Sequence, residues 1–324
     1  MNSSSYNYNV TTSLFIIDPV NIATAKNVIV LALGLIINYI NSTLIHTFRK
    51  HQIFIMNPRY ILFIHLVVND MIQLTMSVSM FVMSYIFFSI NAFLCCLMVT
   101  FAIFTTLNTP LNLAVMAVEC YIAVCFPLRH AEICTIKRTY ILIGCIWALS
   151  SVSVIPEFLF LLATEPLWLF YSKTYCGGSP LYRHPASLLK RDITYMICLS
   201  GVWLTIFCTY FKIFFAARAA NSADGKEKKA RNTILLHGFQ VMLCMLTYVD
   251  PVVTRSIMAS VPNHFLQIHF VWYIVVHILP RLISPIVYGL RDKTFKQYLK
   301  KYYVLCSIRP NNKLFPSVKL RLFF

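Results

Sequence analysis

The feature that most constrains this chain is a series of seven long apolar stretches separated by short polar segments. They lie at residues 26–48, 59–84, 93–126, 139–163, 193–216, 232–257 and 266–290. A helix rises about 1.5 Å per residue, so each stretch is long enough to cross about 30 Å of hydrocarbon. We therefore predict an all-α membrane protein in which residues 26–290 form one bundle of seven transmembrane helices.

The composition agrees with a protein that is largely covered by lipid. Hydrophobic residues make up 58% of the chain and charged residues only 12%, whereas a soluble domain carries about 25% charged residues. The formal net charge of +17 would by itself also suit a nucleic-acid-binding protein. Because the basic residues lie between the apolar stretches, we predict membrane lipid as a partner and no nucleic acid.

The distribution of basic residues predicts which way the bundle faces. The segments after the first, third and fifth stretches are rich in lysine and arginine, whereas residues 85–92 and 258–265 carry no charged side chain. The basic positions include Arg49, Lys50, Arg129, Lys137, Arg138, Lys226, Lys228, Lys229 and Arg231. By the positive-inside rule, the N-terminus is extracellular and the chain is a multi-pass protein of the plasma membrane.

The polar N-terminal tail, residues 1–25, fits this orientation. It contains the sequons that begin at Asn2 and Asn9, which we predict to be glycosylated. It lacks the basic segment of a cleavable signal peptide, so we expect the first helix to act as the membrane signal.

Three cysteines fall on the predicted outer side. Cys176 lies in the long segment 164–192, and Cys95 and Cys96 lie at the start of the third stretch. Because extracellular thiols oxidise, we predict a disulfide between Cys95 and Cys176. Cys96 is the competing partner for Cys176, and three unpaired cysteines are the remaining alternative. The cysteine spacing predicts no metal site.

The segment after the seventh stretch has a helical pattern of its own. Phe295, Tyr298, Leu299 and Tyr302 recur at i, i+3, i+4 and i+7, and lysines lie mostly off that stripe. We predict a short amphipathic eighth helix on the inner membrane surface over residues 291–303. Residues 304–324 would form a cytoplasmic tail.

Two charged residues lie inside apolar stretches, where a charge is costly and needs a partner. Asp70 lies in the second stretch and Arg281 in the seventh. Our first hypothesis is an ion pair between them inside the bundle. The alternatives are separate solvation in a watery cavity and a sodium ion bound at Asp70, which a nearby guanidinium would repel.

The seventh stretch ends in the sequence SPIVY, residues 284–288. Pro285 frees a backbone carbonyl and allows the helix to bend. Such a bend is either a hinge for a conformational switch or a plain structural kink.

At the inner end of the third stretch the sequence becomes specific. Residues 116–130 read MAVECYIAVCFPLRH, which resembles the Met-Ala-Tyr-Asp-Arg-Tyr-Val-Ala-Ile-Cys-x-Pro-Leu pattern of vertebrate odorant receptors, a branch of the rhodopsin-like G-protein-coupled receptors. NPRY at 57–60, KARNTILLH at 229–237 and PIVYGLR at 285–291 resemble other motifs of that family. The similarity covers about residues 25–300, and its style resembles the fish receptors.

This resemblance implies a receptor without catalytic residues, cofactor or metal. Its partners would be a small odorant, entering from the extracellular side, and a heterotrimeric G protein that raises cAMP. The implied ligand pocket lies in the outer halves of helices 3, 5, 6 and 7. Its residues would be Ala102, Ile103, Thr106, Leu107, Thr194, Cys198, Tyr248, Val252, Ile274 and His277. Plain helix packing is the alternative for each of them.

The resemblance also implies a set of residues that switch the receptor between states. They are Asp70, Glu119, Cys120, Tyr121, Tyr210, His237, Arg281, Ser284, Pro285 and Tyr288. Two of them depart from the family pattern. Cys120 replaces the arginine that pairs with its neighbouring acid, which leaves Glu119 without its usual partner, and Ser284 replaces an asparagine.

Three other functions stay open at this point. The loss of the arginine at position 120 would suit a coupling-defective or orphan receptor. A receptor for peptides or amines is a second possibility, although the outer half of helix 3 lacks the acid that an amine would need. A transporter is a third, but the sequence shows neither internal repeats nor paired broken helices.

Overall fold

The computed structural model describes residues 19–86, 90–174, 185–219, 226–291 and residue 297, and it confirms the seven-helix fold. Within these described residues, seven helices are long and apolar enough to cross a membrane. Membrane helices 1 to 6 are Val20–Lys50, Pro58–Ile86, Ala92–Cys125, Ile136–Thr164, Pro185–Ala219 and Lys226–Ser260. Membrane helix 7 runs through Phe265–Tyr273, Ile274–Ile278 and Leu279–Arg291.

Several predictions fall on parts of the chain that the structure does not describe. They are the sequons at Asn2 and Asn9, Cys176, the side chain of Tyr288, the tail 304–324 and, apart from residue 297, nearly all of the amphipathic helix 291–303. These stay predictions.

Short elements close the two ends of the bundle. Gln52–Ile55 and Pro127–Ile133 are helical turns at one end, and we call this end, which carries Arg49 and Lys50, the basic face. At the other end, the amino-terminal face, Ile90–Asn91 pairs antiparallel with Lys173–Thr174. The side chain of Asn91 caps membrane helix 3 by accepting hydrogen bonds from the backbone N–H groups of Phe93 and Leu94.

Membrane helix 3 is the central element, because it contacts helices 2, 4, 5 and 6. The largest core cluster lies around its lower half and contains Leu113, Met116 and Ala117 together with residues of helices 1, 2, 5 and 6. Helices 1 and 2 approach closely at Gly34, where a Cβ atom would lie 2.9 Å from Val78. A glycine at this contact allows the close packing that small residues provide in membrane bundles.

Membrane helix 7 contains the irregularity that matters most for the polar interior. Ile274–Ile278 forms a π turn, about two helical turns before the predicted bend at Pro285. A π turn displaces backbone carbonyls from the regular ladder and occurs often at functional positions. The carbonyl of Val276 lies four residues before Pro280, which has no N–H to donate, and it accepts a hydrogen bond from the Arg281 guanidinium at 2.7 Å.

Candidate functional site

A cavity of about 440 Å³ lies between membrane helices 3, 4 and 5, in the middle of their spans. We call it the lateral cavity. It is lined by Leu107, Leu111, Ala114, Leu149, Ser150, Ser153, Thr194, Ile197, Cys198, Gly201, Val202 and Thr205. Its volume lies in the range of small-molecule sites. Three of the ten predicted pocket residues, Leu107, Thr194 and Cys198, line it.

The hydroxyl groups that line the lateral cavity already donate hydrogen bonds within the protein. Ser153, Thr194 and Thr205 each donate to the backbone carbonyl four residues earlier, at 2.8–3.0 Å. Ser150 instead donates across to Oδ1 of Asn108 at 2.6 Å. Such bonds satisfy the donors but leave oxygen lone pairs free to accept. The cavity is therefore apolar, with a few hydrogen-bond acceptors.

Membrane helix 4 contributes three lining residues that the sequence reasoning missed. Leu149, Ser150 and Ser153 share one face of that helix. The reasoning considered only helices 3, 5, 6 and 7. The signal that could have revealed this face is the pair of serines three residues apart within an apolar stretch.

The predicted pocket residues of membrane helices 6 and 7 lie away from this cavity. Tyr248 stacks edge-on against Tyr195, with ring centroids 4.5 Å apart. Ile274 packs into a cluster with helices 1 and 2. His277 Nε2 lies 4.0 Å from the Asp250 carboxylate. Val252 is 63% exposed.

The remaining predicted pocket residues lie above the lateral cavity on membrane helix 3. Ile103 packs into two small clusters near the amino-terminal face. Thr106 donates to the carbonyl of Ala102 at 2.8 Å, and both residues are half-buried. Among the described residues, three of the ten predicted residues line the lateral cavity, and the pocket formed by the full set stays a prediction.

A chain of hydrogen bonds runs from the lateral cavity into the centre of the bundle. Ser150 donates to Asn108, whose amide donates to Asn69 Oδ1 at 3.4 Å. Asn69 in turn donates to Thr109 at 2.9 Å. We call this series, with the two members described next, the central chain. It joins helices 4, 3 and 2 through side chains that are at most 5% exposed.

The central chain ends on membrane helix 7. Gln73 donates to Thr109 at 3.5 Å, and its own carbonyl oxygen accepts from Nε and Nη2 of Arg281 at 3.0 and 2.8 Å. Arg281 is 4% exposed. Charged donors form the stronger hydrogen bonds, so Gln73 ties the buried guanidinium to helix 2.

The predicted ion pair between Asp70 and Arg281 is therefore wrong as a direct contact. Both side chains line the same enclosed space of about 10 Å³, but the guanidinium contacts are those with Gln73 and Val276. Gln73 lies one turn after Asp70 on the same face and reaches the guanidinium first. Within the described residues, Asp70 Oδ2 has no hydrogen-bond partner.

A second polar network lies at the basic face and involves the acid of the helix 3 motif. Glu119 Oε2 accepts from Arg59 Nε at 3.0 Å, and its other oxygen lies 3.4 Å from Arg59 Nη2 and 3.0 Å from His130 Nε2. Glu119 is 6% exposed, whereas Arg59 is 49% and His130 26% exposed. We call these three residues the basic-face latch. The sequence reasoning left this acid without a partner and missed Arg59.

The neighbouring Cys120 is buried in the main core cluster. Tyr121 packs edge-on against Phe126 and lies under the Lys212 ammonium. The side chain at the position of the family arginine therefore takes part in core packing. Arg59 reaches the acid from helix 2, a different direction from a neighbour on helix 3.

Other predicted switch residues lie between these two networks. His237 is 1% exposed and its Nδ1 lies 3.3 Å from the Leu113 carbonyl. Tyr210 packs beside the main cluster. Ser284 donates to the Pro280 carbonyl at 3.1 Å and lines the space beside Asp70. Pro285 lies within the last segment of helix 7.

The amino-terminal face carries two ties between elements. Cys95 is disulfide-bonded, although its predicted partner Cys176 lies outside the described residues. Lys190 donates to Glu157 at 2.6 Å, which joins membrane helices 5 and 4. The Glu157 side chain is 8% exposed, so this ion pair is partly buried.

Comparisons with known proteins agree with the seven-helix fold. Residues 40–288 match the sequence model of the family described as 7 transmembrane receptor (rhodopsin family). The chain is 31% identical to Odorant receptor 131-2 of Danio rerio over 286 residues, 87% of each chain. It is 29% identical to human Olfactory receptor 52N2, covering 59% of this chain and 60% of that one, and 27% identical to human Olfactory receptor 8U8, covering 65% of each.

Proposed function

Because the chain belongs to the rhodopsin family of seven-transmembrane receptors, and to its odorant receptors, we propose that it binds a small odorant in the lateral cavity and activates a heterotrimeric G protein at the basic face. It is a receptor and not an enzyme. The likeness to the zebrafish relative supports the sensory role.

The central chain is the observation that carries this proposal. It starts at Ser150 in the cavity wall and ends at Arg281 beside the π turn of helix 7. A ligand that contacts Ser150 differently in two bundle arrangements shifts the population toward one of them. A connected polar series becomes a coupling route only when mutations in it change the coupling, so the test below is directed at its first member.

The distribution of basic residues supports one orientation of the bundle in the membrane. The basic face carries Arg49, Lys50, Arg129 and Arg138 near its surface, which favours the cytoplasmic side of a plasma membrane. The amino-terminal face would then be extracellular, where the disulfide of Cys95 and glycosylated Asn2 and Asn9 belong.

The basic-face latch supplies a resting contact that does not need the family arginine. Arg59 and His130 hold Glu119 and so tie the inner ends of helices 2 and 3 to the turn Pro127–Ile133. Water reaches Arg59, which is 49% exposed, and His130, which is 26% exposed, although Glu119 itself is buried. The latch can therefore open where water or the G protein replaces the hydrogen bonds that Glu119 loses.

The direct test measures cAMP in cells that express the receptor, across a panel of small odorants. We expect Ser150→Ala to raise the concentration for half-maximal response about tenfold, since losing one hydrogen bond between buried groups costs about 1–1.5 kcal/mol. Ser153→Ala is the matched control, because Ser153 lines the same cavity but donates only within its own helix. Equal responses of both variants and wild type contradict the proposal.

A coupling-defective receptor is the second candidate, and Cys120 favours it. The thiol supplies neither the fixed charge nor the reach of the family arginine. If only Cys120→Arg responds to odorants while wild type at equal surface expression stays silent, the natural chain is coupling-defective. If both forms respond, the latch at Arg59 suffices.

A further inference from the structure

We infer that ligands enter the lateral cavity from the bilayer, between membrane helices 4 and 5, and that they are uncharged apolar molecules with one hydrogen-bond-donating group, such as medium-chain alcohols or phenols. This inference rests on the proposed function, since it takes the lateral cavity as the ligand site. This route differs from the entry from the extracellular side that the resemblance implies.

The first observation is that the cavity wall reaches the outer surface of the bundle. Leu149 on helix 4 and Ile197 on helix 5 line the cavity, yet they are 54% and 70% exposed. Both lie inside candidate membrane spans. An opening bordered by exposed leucine and isoleucine at this depth faces the hydrocarbon of the bilayer.

The second observation is that the end toward the amino-terminal face is closed. The Glu157–Lys190 ion pair lies one helical turn beyond Ser153 on helix 4 and one turn beyond Thr194 on helix 5. Residues four apart share a helix face, so the pair lies directly over the cavity. Between helices 3 and 4, the buried cluster of Cys96, Leu161 and Phe170 fills the corresponding gap.

The third observation concerns the chemistry of the lining. Among the lining residues there is no acid, lysine, arginine or histidine, and an isolated charge in such surroundings is expensive. The four lining hydroxyls already donate hydrogen bonds, one to Asn108 and three to backbone carbonyls of their own helices. What they offer is acceptor lone pairs, which a ligand hydroxyl can use as a donor.

The cavity therefore selects for molecules that already partition into the membrane. An alcohol with an apolar chain meets both requirements, because its chain dissolves in the bilayer and its single proton matches the acceptors. A carboxylate or ammonium of the same length would lose its hydration without gaining a partner.

The test uses a medium-chain alcohol that carries a photoreactive diazirine, applied to the full-length receptor in lipid nanodiscs. Peptides are then analysed for the label by mass spectrometry. We expect label on residues 194–205, displaced by excess unlabelled alcohol. Leu149→Trp with Ile197→Trp fills the opening, and we expect it to reduce this labelling at least fivefold.

The matched control is Val152→Trp with Leu204→Trp. These residues lie on the same two helices and are 71% and 65% exposed, but they do not line the cavity. We expect their labelling to stay within twofold of wild type. If the first pair lowers the melting temperature, the smaller Leu149→Phe with Ile197→Phe pair takes its place.

The opposite route has its own variant. Glu157→Gln with Lys190→Gln removes the closing ion pair, and we expect the labelling rate to stay unchanged. Faster labelling in this variant, together with full labelling of the blocked pair, overturns bilayer entry. Equal labelling by a carboxylate analogue overturns the ligand class.

These outcomes are separate from those of the proposed function. Labelling through the opening without any cAMP response to alcohols contradicts the signalling role and leaves the entry route standing. A cAMP response that the blocked pair does not weaken contradicts the entry route and leaves the receptor standing.

Discussion

The central chain and the basic-face latch both hold buried polar groups, but they do so by different means. Every member of the central chain is at most 5% exposed, and all except Arg281 are uncharged. The latch consists of charged or titratable groups, in which a buried Glu119 meets the half-exposed Arg59 and the less exposed His130. Buried neutral hydrogen bonds fix one arrangement, whereas an ion pair with one partner open to water is partly screened by salt. The central chain is therefore suited to transmit the effect of a bound ligand, and the basic-face latch is suited to open.

The largest effect is expected at Gln73. Gln73→Leu deprives the buried Arg281 guanidinium of the acceptor for two of its N–H groups. Leaving a buried charged donor unsatisfied costs about 2–3 kcal/mol. We expect the free energy of unfolding to fall by this amount, measured by thermal unfolding of the purified receptor. Gln240→Leu is the control, since it lines the same space and its amide has no hydrogen-bond partner among the described residues. Equal losses in the two variants would show that the contact with Arg281 contributes nothing.

The next effect is expected at Asn69. Asn69→Leu removes donors to the Thr105 carbonyl and to Thr109, and we expect a loss of about 1–2 kcal/mol. Asn38→Leu is the control, because it breaks a more exposed hydrogen bond from membrane helix 1 to Thr75 of membrane helix 2. A cost at Asn38 as large as at Asn69 would contradict the role of burial in the comparison.

The third-largest loss of stability is expected at the basic-face latch. Arg59→Met should cost about 1 kcal/mol, because solvent screens the charge of the half-exposed Arg59 and His130 still contacts the buried Glu119 carboxylate. The same variant should raise basal cAMP, since Glu119 then keeps only His130. Arg49→Met is the control on the same face, with an exposed side chain. Unchanged basal cAMP at equal surface expression would count against the latch.

The smallest effect is the response to salt. Raising the salt from about 0.05 M to 0.5 M should reduce the stability difference between wild type and Arg59→Met by about 0.5 kcal/mol. The difference between wild type and Gln73→Leu should stay constant, because its contact is buried. Parallel salt dependence of both differences would erase the distinction between the two networks.

The sequence predicted the fold well because length and hydropathy decide it. A stretch of about 20 apolar residues has no other stable arrangement in a bilayer. The polar interior was predicted only in part. Asp70 and Arg281 were recognised as costly charges, but their contact depends on Gln73, whose reach follows from helix rotation and the π turn. Spacing along a single helix does not reveal which side chain of that helix contacts a charged group on another helix.

The latch and the lateral cavity were beyond the sequence for a similar reason. Arg59 and Glu119 are 60 residues apart, and the replacement at Cys120 drew attention away from helix 2. The lining of the cavity depends on how helices 4 and 5 separate, which is a property of packing. The serines of helix 4 were visible, but their direction was not.

One experiment tests the division between chain and latch most directly. It records cAMP dose–response curves for medium-chain alcohols in wild type, Asn108→Ala and Arg59→Met at equal surface expression. We predict that Asn108→Ala raises the half-maximal concentration without changing the basal level, because it breaks the route from the cavity. Arg59→Met should raise the basal level with little change in half-maximal concentration. Variants that shift the same parameter, or a wild-type receptor silent at every concentration, would contradict the account.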